Sequence, residues 1–303
     1  MVSAMSEVAL PLSPARQATL EGLAGRRRAD RAVKLLTLIG LALTVLGPLA
    51  LLISLGVRAL PALDLTLLTH ADSTRPELAG LLGALVGSLL SLLVAVAVAA
   101  PVGVLAGVHL EEFAPRGRLV AIVEANLNNL GAAPSVIYGL LGLAVFVEVF
   151  GLPRASPLMA GLVLALMALP VVINTTRSCL AAIPFSVREA ALGVGASPVQ
   201  AVFQHVLPLA WPGIASGVLQ ALSRAMGQAA PLLIVGAAAF TPEVPASVTA
   251  PAETLPSQIF TWFANGGEAF AARASAAALT LLLLMGLMSA AGQYFRRRFE
   301  RGW

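Results

Sequence analysis

The chain has 303 residues, 58% of them hydrophobic and only 11% charged, with a formal net charge of +4. About a quarter of the residues in a soluble domain are charged, so this composition excludes an ordinary water-soluble globule and points to the bilayer. Nucleic acid is excluded as a partner, because no basic groove with interleaved aromatics accompanies the positive charge.

Residues 1–31 read as a mobile cytoplasmic tail rich in Ala, Pro and Ser. Its basic end, Arg26, Arg27, Arg28 and Arg31, is placed to meet anionic lipid. The tail is too long and too charged for a secretory leader. Beyond it the apolar runs begin. A helix needs roughly 20 largely apolar residues to cross the hydrocarbon, since each backbone N–H and C=O must be satisfied within the segment. Six stretches qualify: a first span at 32–57, then Ala79–Val108, Leu130–Phe150, Pro157–Thr176, Gly213–Phe240 and Ala274–Phe295. The last five make a core over residues 79–295, and residues 296–303 form a basic C-terminal end.

Basic residues of short loops stay in the cytoplasm. One side collects Arg16, the Arg26–Arg28 run, Arg31, Lys34, Arg116, Arg118, Arg177, Arg188, the Arg296–Arg298 run and Arg301. The other holds Arg58, Arg75, Arg154 and Arg273. The asymmetry accounts for the net charge and puts both termini of a multi-pass membrane protein in the cytoplasm. The lone cysteine, Cys179, can form no internal disulfide.

In the third span, Glu124, Asn128, Gly131, Ser135 and Tyr138 fall on one helical face, and Pro134 should interrupt the hydrogen-bond ladder. Freed backbone groups at membrane depth are tolerated where protein or water meets them. The segment therefore reads either as a cavity-lining hinge or as a seam of small residues. At the cytoplasmic end of the fourth span lie Asn174, Thr175, Thr176 and Arg177, the last either a charge anchor or a ligand.

The stretch 184–210 is far more polar than its surroundings. Ser186 with Glu189, and Ser197 with Gln200, fit two capping boxes, and Pro198 stands at a first helical position. Gly193 and Gly195 separate the two turns of helix. Val199, Val202, Phe203, Val206 and Leu207 give the second an apolar face, and Pro208 should end it. The expectation is a helix–turn–helix on the cytoplasmic face. Small residues around Glu189 allow close approach by a protein partner, whereas a lipid-lying helix would carry Lys or Arg beside bulky apolar groups.

Arg224 lies near the middle of the fifth span, where an arginine costs about 2.5–3.5 kcal/mol on insertion scales and so should face a bundle interior or a wet cavity. Gln220, Ser223, Arg224, Gly227, Gln228 and Pro231 make one polar stripe at helical spacing. A guanidinium with such donors suits a tetrahedral oxyanion; an ion pair with Glu124 or Glu148 of the third span, or with a neighbouring subunit, is the alternative. The outer segment from Thr241 to Arg273 carries the apolar patch "IFTWFANGG", which reads either as a docking surface or as a cap on the bundle. His70 and His109 have no neighbouring ligand set, and no cofactor or metal is expected.

Glu189, Ala190, Ala191, three residues, Gly195, nine residues, then His205, Val206, Leu207 and Pro208 resembles the EAA loop of ABC importer permeases, whose pattern is EAA, x3, G, x9, I, x, LP. His205 stands where the family has Ile. Within the family, "NNLGAAPSVIYGL", "LPVVINTT", "VREAALGVGAS", "SRAMGQAAPLL" and "YFRRRFERGW" resemble the PstA-type permeases of phosphate importers, over most of the chain from about Gly80 onward.

This resemblance implies an all-α membrane protein with six spans and the type I, MetI-like importer fold. It also implies docking of an ATP-binding subunit through Glu189, Ala190, Ala191, Gly195, Leu207 and Pro208. Implied partners are a PstC-type second permease, two ATP-binding subunits and an external phosphate-binding protein. ATP chemistry belongs to another polypeptide, for this chain has no GxxxxGK[ST] loop and is not itself an enzyme. Expected along the substrate pathway are Arg224, Gln228, Ser223, Gln220, Asn174, Arg177, Asn128 and Ser135. Two departures stand out. Gln228 and Ala229 replace the Glu and Thr of the branch's "RxxGETAPLL", and Asn174–Arg177 reads "NTTR" against "IRTTE", moving the basic position by three. Another oxyanion or phosphorus compound (sulfate, molybdate or a phosphonate), or an ion-coupled carrier without ATP, is the alternative.

Overall fold

A computed structural model describes residues 14–115, 117–236 and 240–299; among these residues every regular element is a helix. The helices are α1 Pro14–Ala59, α2 Leu65–Thr69, α3 Leu82–Phe113, α4 Arg118–Ala132, α5 Ser135–Val149, α6 Pro157–Ala181, α7 Phe185–Gly193, α8 Pro198–Met226, α9 Ala229–Ile234, α10 Leu255–Asn265 and α11 Glu268–Phe299. Five runs are long and apolar enough to cross a membrane: Ala32–Ala62, α3, α6, α8 and α11. The bent pair α4–α5 brings the number to six if counted as one span. Arg116, residues 1–13 of the tail, residues 237–239 of the fifth span and residues 300–303 of the basic end lie outside the described residues.

The chain divides into two units, residues 1–54 and 55–303. In the first, helix runs unbroken from Pro14 through the apolar run to Ala59. The Ala, Leu and Arg content of residues 14–31 favours helix once the apolar run beyond supplies a nucleus to propagate from.

In the second unit the core lies where α3, α6 and α8 meet. Ala95, Ala99, Ala165, Val172, Val206, Ile214 and Leu222 interlock there. Small side chains dominate because lipid offers no hydrophobic drive between helices, and tight backbone contact must supply the attraction. A second cluster, with Trp262, Leu81, Leu255 and Ala277, joins α10 and α11 to the start of α3.

The break expected at Pro134 is present, and it is sharp: α4 and α5 meet at 104°. Glu124 and Asn128 therefore sit on α4 while Ser135 and Tyr138 sit on α5, so the single face drawn through all of them does not exist. The Tyr138 hydroxyl donates across the break to the Leu130 carbonyl at 2.6 Å, which also accepts from Ala133 N, tying α5 to the end of α4.

Three further boundaries differ from expectation. The fourth span continues to Ala181. The fifth begins at Pro198 and ends at Met226, not Phe240. Pro208 does not stop it, because the turns over Ala201–Val206 widen to π-type pairing and leave the proline in the opening positions of the next α-helical stretch, where it needs no donor. The 184–210 stretch is thus one short helix, α7, followed directly by the start of α8.

The end of the unit carrying Arg273 is tied by charge. Arg273 is only 5% exposed. It donates to both oxygens of Asp64, at 2.7 and 2.9 Å, to the Thr66 hydroxyl, and to the carbonyls of Ala62, Pro76 and Glu77. Trp262 is buried and donates to Asp72 at 2.9 Å, so the central aromatic of "IFTWFANGG" is core, while Phe260 and Phe263 remain exposed.

Candidate functional site

α6 and α8 run side by side because Gly217 lies against Thr175. A Cβ at that glycine would fall 2.1 Å from the threonine methyl. Beside this contact opens a groove of about 1010 Å³ whose polar lining includes Asn174, Thr175 and Ser178 of α6, Gln220 and Arg224 of α8, and Arg296 of α11. Pro208 and Trp211 line it as well.

The depth of Arg224 follows from its neighbour. Ser223 donates to the carbonyl of Met285 at 3.0 Å, and Met285 lies midway along α11 between Arg273 and the Arg296–Arg298 run. Arg224 is exposed in the chain, and among the described residues no carboxylate pairs with it. Both carboxylates suggested within the chain are taken: Glu124 binds Arg177, and Glu148 binds Arg154.

The polar stripe of α8 divides. Gln220 and Arg224 face the groove, whereas Ser223 is buried against α11. The helix stops at Met226, so Gly227 and Gln228 occupy the break before α9, where Gln228 is half-buried and lines neither cavity described here. Ser135 opens α5 after Pro134 and is likewise in neither.

A smaller recess of about 290 Å³ adjoins the groove through Asn174 and Ser178, and includes Arg177 and Glu111. Asn174 donates to Asn128 of α4 at 3.4 Å. Arg177 donates to Glu111 at 3.2 Å and to Glu124 at 2.6 Å. Its guanidinium is therefore occupied by two carboxylates, which sets it apart from Arg224.

On α7, Glu189 and Ala190 are exposed and Ala191 is buried. Pro184 precedes the helix and no side chain caps it, so the box expected from Ser186 and Glu189 does not form; Ser186 is already inside the first turn. The second box does form: Ser197 N donates to Gln200 Oε1 at 2.8 Å and Gln200 N to Ser197 Oγ at 3.3 Å. Between them Gly195 has φ +92°, with nothing within 4 Å of a Cβ placed there. Phe185, Leu192 and Val194 are exposed apolar groups around Glu189, while Leu207 is half-buried and Pro208 exposed.

Arg188, on the other side of α7, donates to both oxygens of Glu112, at 3.0 and 2.5 Å, and to the carbonyls of Ile183 and Leu180. Hydrogen bonding to Glu112 strengthens the hold of Arg188 on its proton.

Reading the sequence missed Glu111, Glu112 and Glu253, and saw Arg188 and Arg273 only as topology markers. The adjacent glutamates closing an apolar run were the one available signal. At the Arg273 end, both oxygens of the buried Glu253 lack partners among the described residues. Burial first, and the charge of Asp72 second, push its pKa up to about 8. Among the described residues no group of three or more His, Cys, Asp or Glu side chains is arranged to hold a metal ion.

Residues 99–301 match the family described as binding-protein-dependent transport system inner membrane component. The phosphate transport system permease protein PstA of Haemophilus influenzae is 32% identical over 183 residues, 60% of this chain and 64% of that protein. PstA 2 of Mycobacterium bovis is 30% identical over 264 residues, 87% of this chain and 86% of the relative. The probable ABC transporter permease protein YqgI of Bacillus subtilis is 29% identical over 201 residues, covering 61% of this chain and 68% of its own length. Among solved structures, an inward-facing MetNI methionine ABC transporter superposes with a TM-score of 0.56 at 22% identity, over 73% of this chain and 96% of that one. That likeness concerns the fold, and it agrees with the MetI-like helical architecture expected from sequence.

Proposed function

The chain belongs to the family of binding-protein-dependent transport system inner membrane components, and on that premise we propose that it is the permease subunit of an ATP-driven importer that carries inorganic phosphate. The observation that supports this most is Arg224: a cation in the last turn of α8, level with the middle of α11, with no carboxylate partner among the described residues, facing an open groove beside Gln220 and Asn174. An arginine at that depth is costly unless something polar meets it, and a passing oxyanion supplies what the protein does not. Its planar donors match phosphate oxygens in pairs. Arg296 extends the positive lining toward the Arg188 end.

On this reading the Arg188 end is cytoplasmic, with both termini there, and the Arg273 end faces outward. An external phosphate-binding protein delivers the anion to the interface with a PstC-type second permease. Two ATP-binding subunits supply the hydrolysis that this chain does not. One of them grips α7 at the exposed Glu189 and Ala190, while the buried Ala191 seats the helix on the bundle, with Gly195, Leu207 and Pro208 shaping the turn and the entry to α8. Nucleotide-driven closure shifts α7 and converts the groove from outward to inward access. Arg224 is a brief stopover, with Gln220 and Asn174 as further donors. Arg177 and Asn128 position this wall, Ser223 fixes the orientation of α8 against α11, and Ser135 and Gln228 mark the two helix breaks.

The replacement of Glu and Thr by Gln228 and Ala229, beside that stopover in sequence, favours a second reading in which another oxyanion is the cargo. One experiment separates these. The chain is co-purified with its ATPase and reconstituted with its binding protein in vesicles, and uptake of radiolabelled phosphate is followed against unlabelled sulfate, molybdate and a phosphonate. ATP-dependent phosphate uptake that resists these competitors is the expected result. Uptake suppressed by one competitor at equal concentration shifts the substrate to it, and uptake with no nucleotide or ATPase present overturns the importer reading.

A further inference from the structure

Glu111 and Glu112 are neighbours in sequence but bind arginines from different helices. Glu112 takes Arg188 of α7, while Glu111 takes Arg177 of α6, whose other nitrogen reaches Glu124 on α4. Burial differs along this chain of ions. The side chains of Glu112 and Arg188 are 7% and 15% exposed, against 37% for Glu124. Arg188 also donates to the carbonyls of Leu180, in the last turn of α6, and of Ile183 just beyond it, which adds neutral acceptors to the link. Taking away one partner of so desolvated a pair strands the other, which makes the link stiff.

Apolar packing holds only part of α7. Ala191 is buried and Val187 partly so, but Phe185, Leu192 and Val194 face outward. α7 also packs on the Ala201–Val206 turns of α8, and the ionic link is its charged fastening to the end of α3. From Arg177, one turn of α6 leads to Asn174, which lines the groove of Arg224 and touches Asn128 of α4. α4 in turn ends at the 104° break, which gives it a single point about which to turn.

We propose that Glu111 and Glu112 are positioning residues that make the end of α3 a strut, passing displacement of α7 to α4 and to the wall of the Arg224 groove. The inference rests on the reading of α7 as the ATPase-docking helix. Glu112 fixes α7 to the strut, and Glu111 carries the movement on through Arg177 to Glu124. Without the strut, motion of α7 is absorbed in the loop between Ala181 and Phe185, and hydrolysis continues without transport.

The test uses the complete transporter in vesicles, with inorganic phosphate as the probe. Glu112→Gln, Arg188→Glu and the exchange Glu112→Arg with Arg188→Glu are compared for ATPase retention, ATP hydrolysis and phosphate taken up per ATP. Glu112→Gln is expected to keep the complex and hydrolysis within about twofold while uptake per ATP falls about tenfold, a typical size for a lost coupling. The exchanged pair should recover more than either single change. Unchanged uptake per ATP, or loss that merely tracks disassembly, or no recovery in the exchanged pair, overturns the proposal. Should Glu112→Gln fail to accumulate, Glu111→Gln leaves the buried pair intact and must still lower uptake per ATP with hydrolysis preserved. A wild-type chain that retains no ATPase defeats the importer reading and this inference with it. A wild-type complex that pumps another anion corrects only the substrate, and the same variants are then read with that anion.

Discussion

Arg273 and Arg224 lie on adjoining helices and meet opposite fates. The first is buried beneath the Asp64 loop with every side of its guanidinium answered by an acceptor; the second stands in an open groove with no carboxylate beside it among the described residues. Identical side chains thus do different work according to what the surrounding backbone offers. A saturated arginine locks two segments together and has nothing left to give a ligand. An unsaturated one is unstable by itself and gains from whatever anion arrives.

The hardest test of this contrast is Arg224→Ala. Uptake should fall by at least about a hundredfold, the scale expected when a charged contact to a substrate is removed, while assembly with the ATPase is unchanged in a pull-down. Arg224→Lys, keeping charge but losing the paired geometry, should fall between. Normal uptake by Arg224→Ala erases the distinction between the two arginines.

Arg273→Met probes the other side. Here the expected loss is of stability, about 2 kcal/mol as for hydrogen bonds to a charged group, read as a lower thermal midpoint in detergent with uptake per folded molecule retained. Asp64→Asn should cost less, because its side chain is 43% exposed and water replaces part of the lost contact. A variant at Arg273 that stays stable but stops transport reverses the assignment.

Gly195→Val comes next. A branched residue at φ +92° is strained by roughly 1–3 kcal/mol, so α7 should be misaligned and less ATPase retained on co-purification, with membrane insertion unaffected.

A dependence on pH sharpens the view of the Arg273 end. Glu253 holds its proton far more tightly folded than unfolded, up to about 8 against an ordinary 4.5. The folded state therefore binds more protons between those values, and stability must decline as pH rises from about 4.5 to about 8, levelling off above. Asp64 slopes the other way. Hydrogen bonding to Arg273 keeps its carboxyl well below the usual carboxylate range, and that support is lost only in strong acid. Glu253→Gln should flatten the decline, measured as thermal midpoint against pH; an unchanged slope assigns it to another group.

Much of the architecture could be read from the chain because each span must satisfy its own backbone. An apolar run of sufficient length is then almost a sufficient statement. The Pro134 break and the polar setting of Arg224 were legible for the same reason, since both violate what lipid tolerates. The boundaries of α8 were not. Widened turns before Pro208 and the stop at Met226 depend on how the helix leans against α6 and α11, and a periodicity carried through Gly227 cannot register that. The ion pairs were hidden more deeply. Arg188 finds Glu112 across 76 positions and Arg273 finds Asp64 across 209, and no local pattern marks a carboxylate whose partner is supplied only by the folded bundle.

Where α6 meets α8, the missing methyl of Gly217 has a consequence for how cargo preference drifts. An alanine there would wedge the two helices apart against Thr175, altering the calibre of the passage beside Arg224 without touching any polar group. On the proposed reading, a single added carbon in the wall of the groove would admit bulkier anions without replacing any polar side chain, so helix spacing as well as ligand identity would set the cargo.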